Sequence, residues 1–543
     1  MKHGTSRSGP LISLVLLAGL VPALTASAAT VTGEIIDAVT DQLLAARVYI
    51  QHADRRWFFP ESASPNGSAV RYQKSNSLNT NAVEFHTTLS AHPFRVDLEP
   101  GVYLFTAERG KEYRPFEKRV EVGAEPMQLR LPLRRWVNMA QRGWFSGDTH
   151  VHRTLADLPN VMLAEDLNVA FPLTYWVTKA FAPPTAGDKN SDRDARAELI
   201  RLDATHVIYP RNTEYEIFTV NGKSHTLGAV FVLNHRTPLA HGAPPVGPIA
   251  GQTRREGALL DLDKHNWPWS MAIVPLMQVD LFELANNHLW RTEYAFTNWA
   301  VPAPGWMGIG SGIASEREWT LYGFQNYYAL LNCGFRLRST GGTANGVHPV
   351  PLGFGRVYVH LPRGFSYEAW VKGLNDGRSF VTTGPMLLAQ ADGKDPGHRF
   401  EFNSDRPHRV QVEATVLSEA PATSVEIIVN GDVAYRLLPR ASRNRDGAFV
   451  AEFRQSIELT GSSWIAVRCW EERDRGRVRF AHTAPWFFEV RDAPLRARKE
   501  EAEFLARRVR EQIERSIGVL PPDAIAEYRK ALEAFENIGR NGR

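Results

Sequence analysis

Apolar and polar positions alternate with a period of two along several short runs early in the chain. Val31 to Asp37, Arg47 to Gln51 and Phe94 to Leu98 each place one side chain in and the next out, as half-buried strands do. Glu99-Pro100-Gly101 marks a turn before a further strand over Val102 to Ala107, and Arg119 to Val122 and Gln128 to Leu131 complete a small β-sandwich over 29–135. Between its strands, Glu61 to Asn81 is rich in Ser, Asn and Pro and reads as a long exposed loop. The pattern changes at Trp144. From there to about residue 390, apolar runs (Val207 to Tyr209, Thr226 to Leu233, Ala272 to Leu276, Arg356 to His360) alternate with helical stretches around Val161–Leu167, Asp192–Leu202 and Ser366–Leu374. Ser366 is an N-cap and Gly377 a stop for the last of these. Such alternation predicts an α/β domain over 140–390 with largely parallel strands. Strand-like alternation returns over 395–492, with Asn430-Gly431 as a hairpin turn, and 493–543 reads as a helical tail. There Leu495, Phe504, Leu505, Val509 and Ile513 make an apolar stripe opposite a charged face. The expected fold class is therefore multidomain, α/β plus all-β.

Bulk composition agrees with this division. A chain of 543 residues exceeds what one core supports. With 43% hydrophobic and 22% charged residues it is ordinary globular protein, and a formal charge of +4 gives no basis for nucleic-acid binding. Lys2, His3 and Arg7 precede an apolar run from Leu11 to Leu24 and the small-residue site Ala26-Ser27-Ala28. That is the layout of a signal peptide over 1–28, shorter than the roughly 20 apolar residues of a membrane span. The expectation is a secreted or periplasmic protein without a membrane span after cleavage. Cys333 and Cys469, the only cysteines, are too few for a disulfide framework or a thiolate metal site and are expected to be buried and inert.

Chemistry concentrates in the α/β region. In Gly147-Asp148-Thr149-His150-Val151-His152, strand alternation puts Asp148, His150 and His152 on one side, so two imidazoles can grip one cation with Asp148 as ligand or orienting group. Glu214 and Glu216, His225 in Gly222 to Gly228, His265, His288 in Glu283 to His288, and His348 follow, mostly in polar, turn-like contexts. His206, His235, His241 and His360 read as hydrogen-bonded structural residues. Several imidazoles with a carboxylate suit Zn, Mn or Fe better than Ca or Mg. Eight of the 14 tryptophans fall between Trp144 and Trp319. They suit either the packing of long loops or the walls of a site for a small-molecule or glycan-like substrate.

The run Trp144 to His152 resembles the opening motif of the PHP (polymerase and histidinol phosphatase) superfamily, in particular its CehA/McbA-type metallohydrolases. Gly222 to Gly228 is similar to that branch's glycine-histidine segment, Gly355 to Val359 to the strand after its last metal motif, and Gly377 to Pro385 to its closing segment. The leading sandwich, with Pro100-Gly101-Val-Tyr, resembles a carboxypeptidase-regulatory-type domain. The resemblance covers about 140–390 and implies a distorted β/α barrel, flanked here by two β-sandwiches, holding two or three divalent ions. It implies hydrolysis of a phosphoester or ester/carbamate bond by metal-activated water. On it, His150, His152, Glu216, His225 and His348 are the expected ligands, with Glu214, His265 and His288 close behind. Asp148 is expected to orient a ligand or relay a proton, and Arg356 to neutralise an anionic substrate. The family's Asp-x-His after the first motif is Pro172-Leu-Thr-Tyr-Trp176 here, and its Ser-Asp-x-His is Thr343-Ala-Asn-Gly-Val-His348. A metal position is thus missing or rebuilt from His265 and His288. The rival expectation is a secreted binding protein whose degenerate barrel keeps one structural ion.

Overall fold

The computed structural model describes residues 28–187, 195–296, 301–310, 315–403 and 406–543. The expected leader, up to residue 27, lies outside them, and among the described residues no helix is long and apolar enough to cross a membrane.

Strong alternation near the N-terminus becomes two facing sheets. Ala29–Asp37 pairs antiparallel with Phe94–Leu98 and parallel with Met127–Arg135, while Ala46–His52 sits between Val83–Leu89 and Gly101–Glu108. Val31, Ile35, Phe94, Tyr103, Phe105 and Leu131 fill the space between. Part of the polar stretch expected as a loop is strand: Ala69–Ser75 pairs along its whole length with Val83–Leu89. Its partner's register overrides a composition that reads as loop. Tyr72 in this strand is buried, and its hydroxyl donates to the His348 carbonyl (2.5 Å) and accepts from Gly346 N–H (3.0 Å). The first sheets therefore brace a loop of the α/β region.

The α/β region is built on two sheets. One runs through Val207–Ile208, Val169–Pro172, Trp144–Val151, Arg356–His360 and Ser379–Thr382, then continues into Val478–Thr483, Ser463–Glu472, Ser424–Val429 and Asp432–Leu437. Phe380 pairs with Thr483, so this sheet crosses the boundary expected near residue 390 without a break. The other runs through Tyr175–Lys179, Thr213–Val220, Ala229–Leu233, Leu259–Leu262, Leu281–Ala285 and Arg338–Gly341. Both mix parallel and antiparallel pairs, where largely parallel strands were expected. Trp144–Val151 is parallel to Val169–Pro172 but antiparallel to Arg356–His360, and Thr213–Val220 is antiparallel to Ala229–Leu233. The architecture is mixed α/β with several sheets, and no closed barrel forms among the described strands.

Two local readings change. Ala272 to Leu276, strand-like in its apolarity, lies inside the buried helix Ser270–Met277 despite Pro275, because a short apolar run does not distinguish buried strand from buried helix. The helix expected over Asp192–Leu202 falls partly outside the described residues, and within the remainder Ile200–Arg201 pairs with Val207–Ile208. Most described tryptophans of the region serve packing: Trp269, Trp290 and Trp319 are at most 1% exposed. Other signals match. Ser366 caps Tyr367–Asp376 by accepting from Ala369 N–H (3.1 Å), and Gly377 ends the helix with φ 78°. Asn430 and Gly431 both take positive φ in their hairpin, as a type I′ turn requires. The tail forms helices Lys499–Ser516 and Pro522–Arg540. Arg508 reaches from the first to the carbonyls of His265 (2.9 Å) and Trp267 (2.7 Å). Cys333 and Cys469 are buried and unpaired.

Candidate metal centre

Four strand ends converge on one buried group of side chains. Trp144–Val151 delivers His150 and, just beyond its end, His152. Thr213–Val220 carries Glu214 and Glu216; Leu259–Leu262 leads into Asp263 and Lys264; Leu281–Ala285 carries Glu283. His150, His152, Glu214, Asp263 and Glu283 are each at most 1% exposed. The two imidazoles meet Nε2 to Nε2 at 3.2 Å, His150 Nδ1 lies 3.0 Å from Glu283 Oε2, and His152 Nε2 lies 3.4 Å from Glu214 Oε2. Ligand atoms of His150, His152 and Glu214 lie within 4.8 Å of one another, as do those of His150, Asp263 and Glu283. Each group could hold a metal ion.

The close approach depends on glycine. A Cβ on Gly342 would lie 2.3 Å from His150 Cβ and 3.0 Å from the Glu283 carboxyl carbon. At Gly346, φ is +110° and a Cβ would lie 2.0 Å from the His152 carbonyl oxygen. Only glycine lets the segment after Arg338–Gly341 close over the histidine pair.

Negative charge is in excess. Asp148, Glu214, Asp261, Asp263 and Glu283 are all 0% exposed and Glu216 is 4% exposed, and the buried cation among them is Lys264, at 7%. Burial pushes the Asp263 carboxyl up to about 6, with Lys264 opposing and Glu214 and Glu216 reinforcing the rise. Burial, offset in part by the Thr340 hydroxyl and aided by Asp263, raises Asp261 to about 7. Glu283 is held well above the ordinary range by burial, then by Asp263 and Asp261. Charge that a fold buries at this cost is relieved by protons or by a cation. Imidazole and carboxylate donors in this number fit a borderline transition-metal ion.

Asp148 touches the expected ligand His150 through its backbone. Its carboxylate accepts from the backbone N–H groups of His150 (3.0 Å), Thr343 (3.2 Å) and Gly353 (2.9 Å) and from the Thr343 hydroxyl (2.5 Å). It latches the 343–353 loop onto the histidine strand, touching the backbone of His150 and not its ring. Arg356 departs from expectation. At 1% exposure, its guanidinium donates to the Gly353 carbonyl (2.6 Å) and twice to the Glu165 carbonyl (3.3 Å), so its donors go to the backbone and not to a substrate.

The remaining expected ligands scatter. Glu214, not the favoured Glu216, reaches His152, while Glu216 Oε1 pairs with Lys264 Nζ at 2.9 Å. His225 is half-buried beside the tail helix, where Arg515 binds the Thr226 carbonyl, and burial and Arg515 lower its pKa. His265 stacks on Phe282, and its Nε2 lies 3.1 Å from the Asn286 side-chain nitrogen; burial and then Arg508 lower it to about 3. His288 packs edge-on to Phe296 (4.0 Å) and is driven well below the usual imidazole range by burial, then by His348, Lys264 and His265. His348 is half-buried against Trp290. His288 and His348 thus border the cluster without joining either metal-capable group. His206, His235 and His360 bond to Asp203, Thr213 and Asp395, as structural histidines do.

Asp263 and Glu283 were missed as candidate ligands, as was the latch through Thr343. A signal existed: Glu283 interrupts the apolar run Leu281 to Ala285, and Asp261 and Asp263 alternate on Leu259 to Asp263. Carboxylates inside otherwise apolar strands are rarely buried without a partner. No family model, curated protein or solved structure matches the chain.

Proposed function

We propose that the chain is a metal-dependent hydrolase of the PHP, CehA/McbA-like kind, exported from the cytoplasm and cleaving a phosphoester or an ester/carbamate bond. The observation that carries this reading is the convergence of residues distant in sequence into two buried groups that share His150, His150–His152–Glu214 and His150–Asp263–Glu283, with the ligand atoms of each group within 4.8 Å of one another. A divalent ion bound there supplies Lewis acidity, which polarises a scissile bond and acidifies water.

The chain's own residues prepare that chemistry. When ionised, Glu283 Oε2 accepts the His150 Nδ1 proton, which leaves the Nε2 lone pair directed at the cluster. Lys264 fixes positive charge beside Glu214 and Glu216, and Asp148 keeps the 343–353 loop closed over the histidines.

The near-complete burial of the cluster favours a second reading, a binding protein with one structural ion. Purified protein loaded with Zn2+ or Mn2+ separates the two on p-nitrophenyl phosphate and p-nitrophenyl ester substrates. Turnover that disappears in His150→Ala supports the hydrolase. A tightly held ion with no turnover on either substrate supports the binding protein.

A further inference from the structure

Lys264 is placed as a metal ion would be. Its Nζ lies 2.9 Å from Glu216 Oε1 and 3.3 Å from Glu214 Oε1, and it is ion-paired with Asp263 Oδ2. It is only 7% exposed. The backbone at this position is unusual: Lys264 has φ +52°, uncommon for any residue that carries a Cβ, and its N–H donates to Asp263 Oδ1 (2.7 Å). Two of its three carboxylate partners, Glu214 and Asp263, also belong to the metal-capable groups built on His150. Glu214 offers Oε2 to His152 and Oε1 to Lys264. It therefore spans the imidazole pair and the ammonium as a bridging carboxylate spans two cations.

We infer that the Lys264 ammonium is a built-in second cation, and that the centre binds a single divalent ion, on the His150–His152–Glu214 side. This rests on the metal-centre reading above. An ammonium and a divalent ion cannot share one set of oxygens at these distances without strong repulsion.

The test is metal stoichiometry on the full chain, saturated with Zn2+, freed of excess by desalting and analysed for metal and protein. Wild type is expected to hold one ion per chain. Lys264→Met, which keeps length and removes charge, is expected to hold two, and Lys264→Arg one. Two ions in wild type, or one in a folded Lys264→Met, overturns the inference. A measurement on wild type alone guards against a variant that does not fold. Mn2+-loaded protein should give the uncoupled six-line electron paramagnetic resonance pattern, and an exchange-coupled multiline spectrum overturns the proposal. No bound Zn2+ or Mn2+ in wild type sinks the metal centre itself, a failure distinct from a two-ion result.

Discussion

Replacing Glu283 with Gln separates a residue that serves a metal from one that serves the fold. In the metal-free protein Glu283 is 0% exposed and its pKa stands well above 4.5, because burial and the neighbouring Asp263 and Asp261 disfavour its charge. A carboxyl whose charged form the fold disfavours costs stability at neutral pH, about 1.4 kcal/mol for each unit by which its pKa is raised. Gln carries no such cost and can still accept the Asn287 N–H that Glu283 Oε1 accepts at 3.0 Å. Glu283→Gln is therefore expected to stabilise the metal-free protein by about 1–3 kcal/mol, the lower end allowing for imperfect packing of the amide. Its effect on metal is opposite. An amide N–H facing His150 Nδ1 favours the tautomer with the proton on Nε2, which removes the lone pair directed at His152 and Glu214. Loss of an orienting carboxylate costs about 10–100-fold in metal affinity. Chelator-competition titration with Zn2+ reads the affinity, and thermal unfolding in EDTA reads the stability. The reasoning fails if the Zn2+ affinity stays within twofold of wild type. It fails equally if both quantities fall together, since a merely structural residue would do that.

Metal affinity should also depend on pH. Burial holds the Asp263 carboxyl up at about 6 in the metal-free fold, and a cation bound beside it favours its charged form, so below pH 6 ion binding is coupled to loss of that proton and affinity should fall with pH, by at most tenfold per unit. Isothermal titration in two buffers of different ionisation heat counts the protons, and Asp263→Asn should abolish that component. Asp148→Asn leaves at least one of the latch's four donors facing an amide N–H. It should cost at least about 1–3 kcal/mol in chemical denaturation, the cost of one buried group left unsatisfied; a loss under 1 kcal/mol would show the latch to be incidental. Gly342→Ala forces a methyl to within 2.3 Å of His150 Cβ, with an expected overpacking cost of about 1–3 kcal/mol and reduced Zn2+ binding. Unchanged binding in that variant would mean the imidazole does not need its present position.

What the sequence revealed and what it concealed follow from the range of each interaction. His150 and His152 were legible because strand alternation is local: two residues apart means the same face, whatever the rest of the chain does. The Asn430-Gly431 hairpin and the Ser366 cap were legible for the same reason, since each is decided within a few residues. The partners of the histidines were not. Glu214 and Glu216 share a face, and only the register against Ala229–Leu233 and the position of Lys264 decide which one meets His152. His225 sits in a polar turn as suggestive as that of His348, yet the tail helix some 290 residues later claims its surroundings. Histidine identity drew attention to His265 and His288, which the fold uses among aromatic rings, while Asp263 and Glu283 lay in strands whose apolar pattern suggested only core. A carboxylate in an apolar strand is costly wherever it goes, so it persists only where the fold supplies charge to meet it. Here the supplied charge is visible in one lysine, and three carboxylates around a single ammonium, with Asp148, Asp261 and Glu283 buried in the same region, require more than that lysine can give.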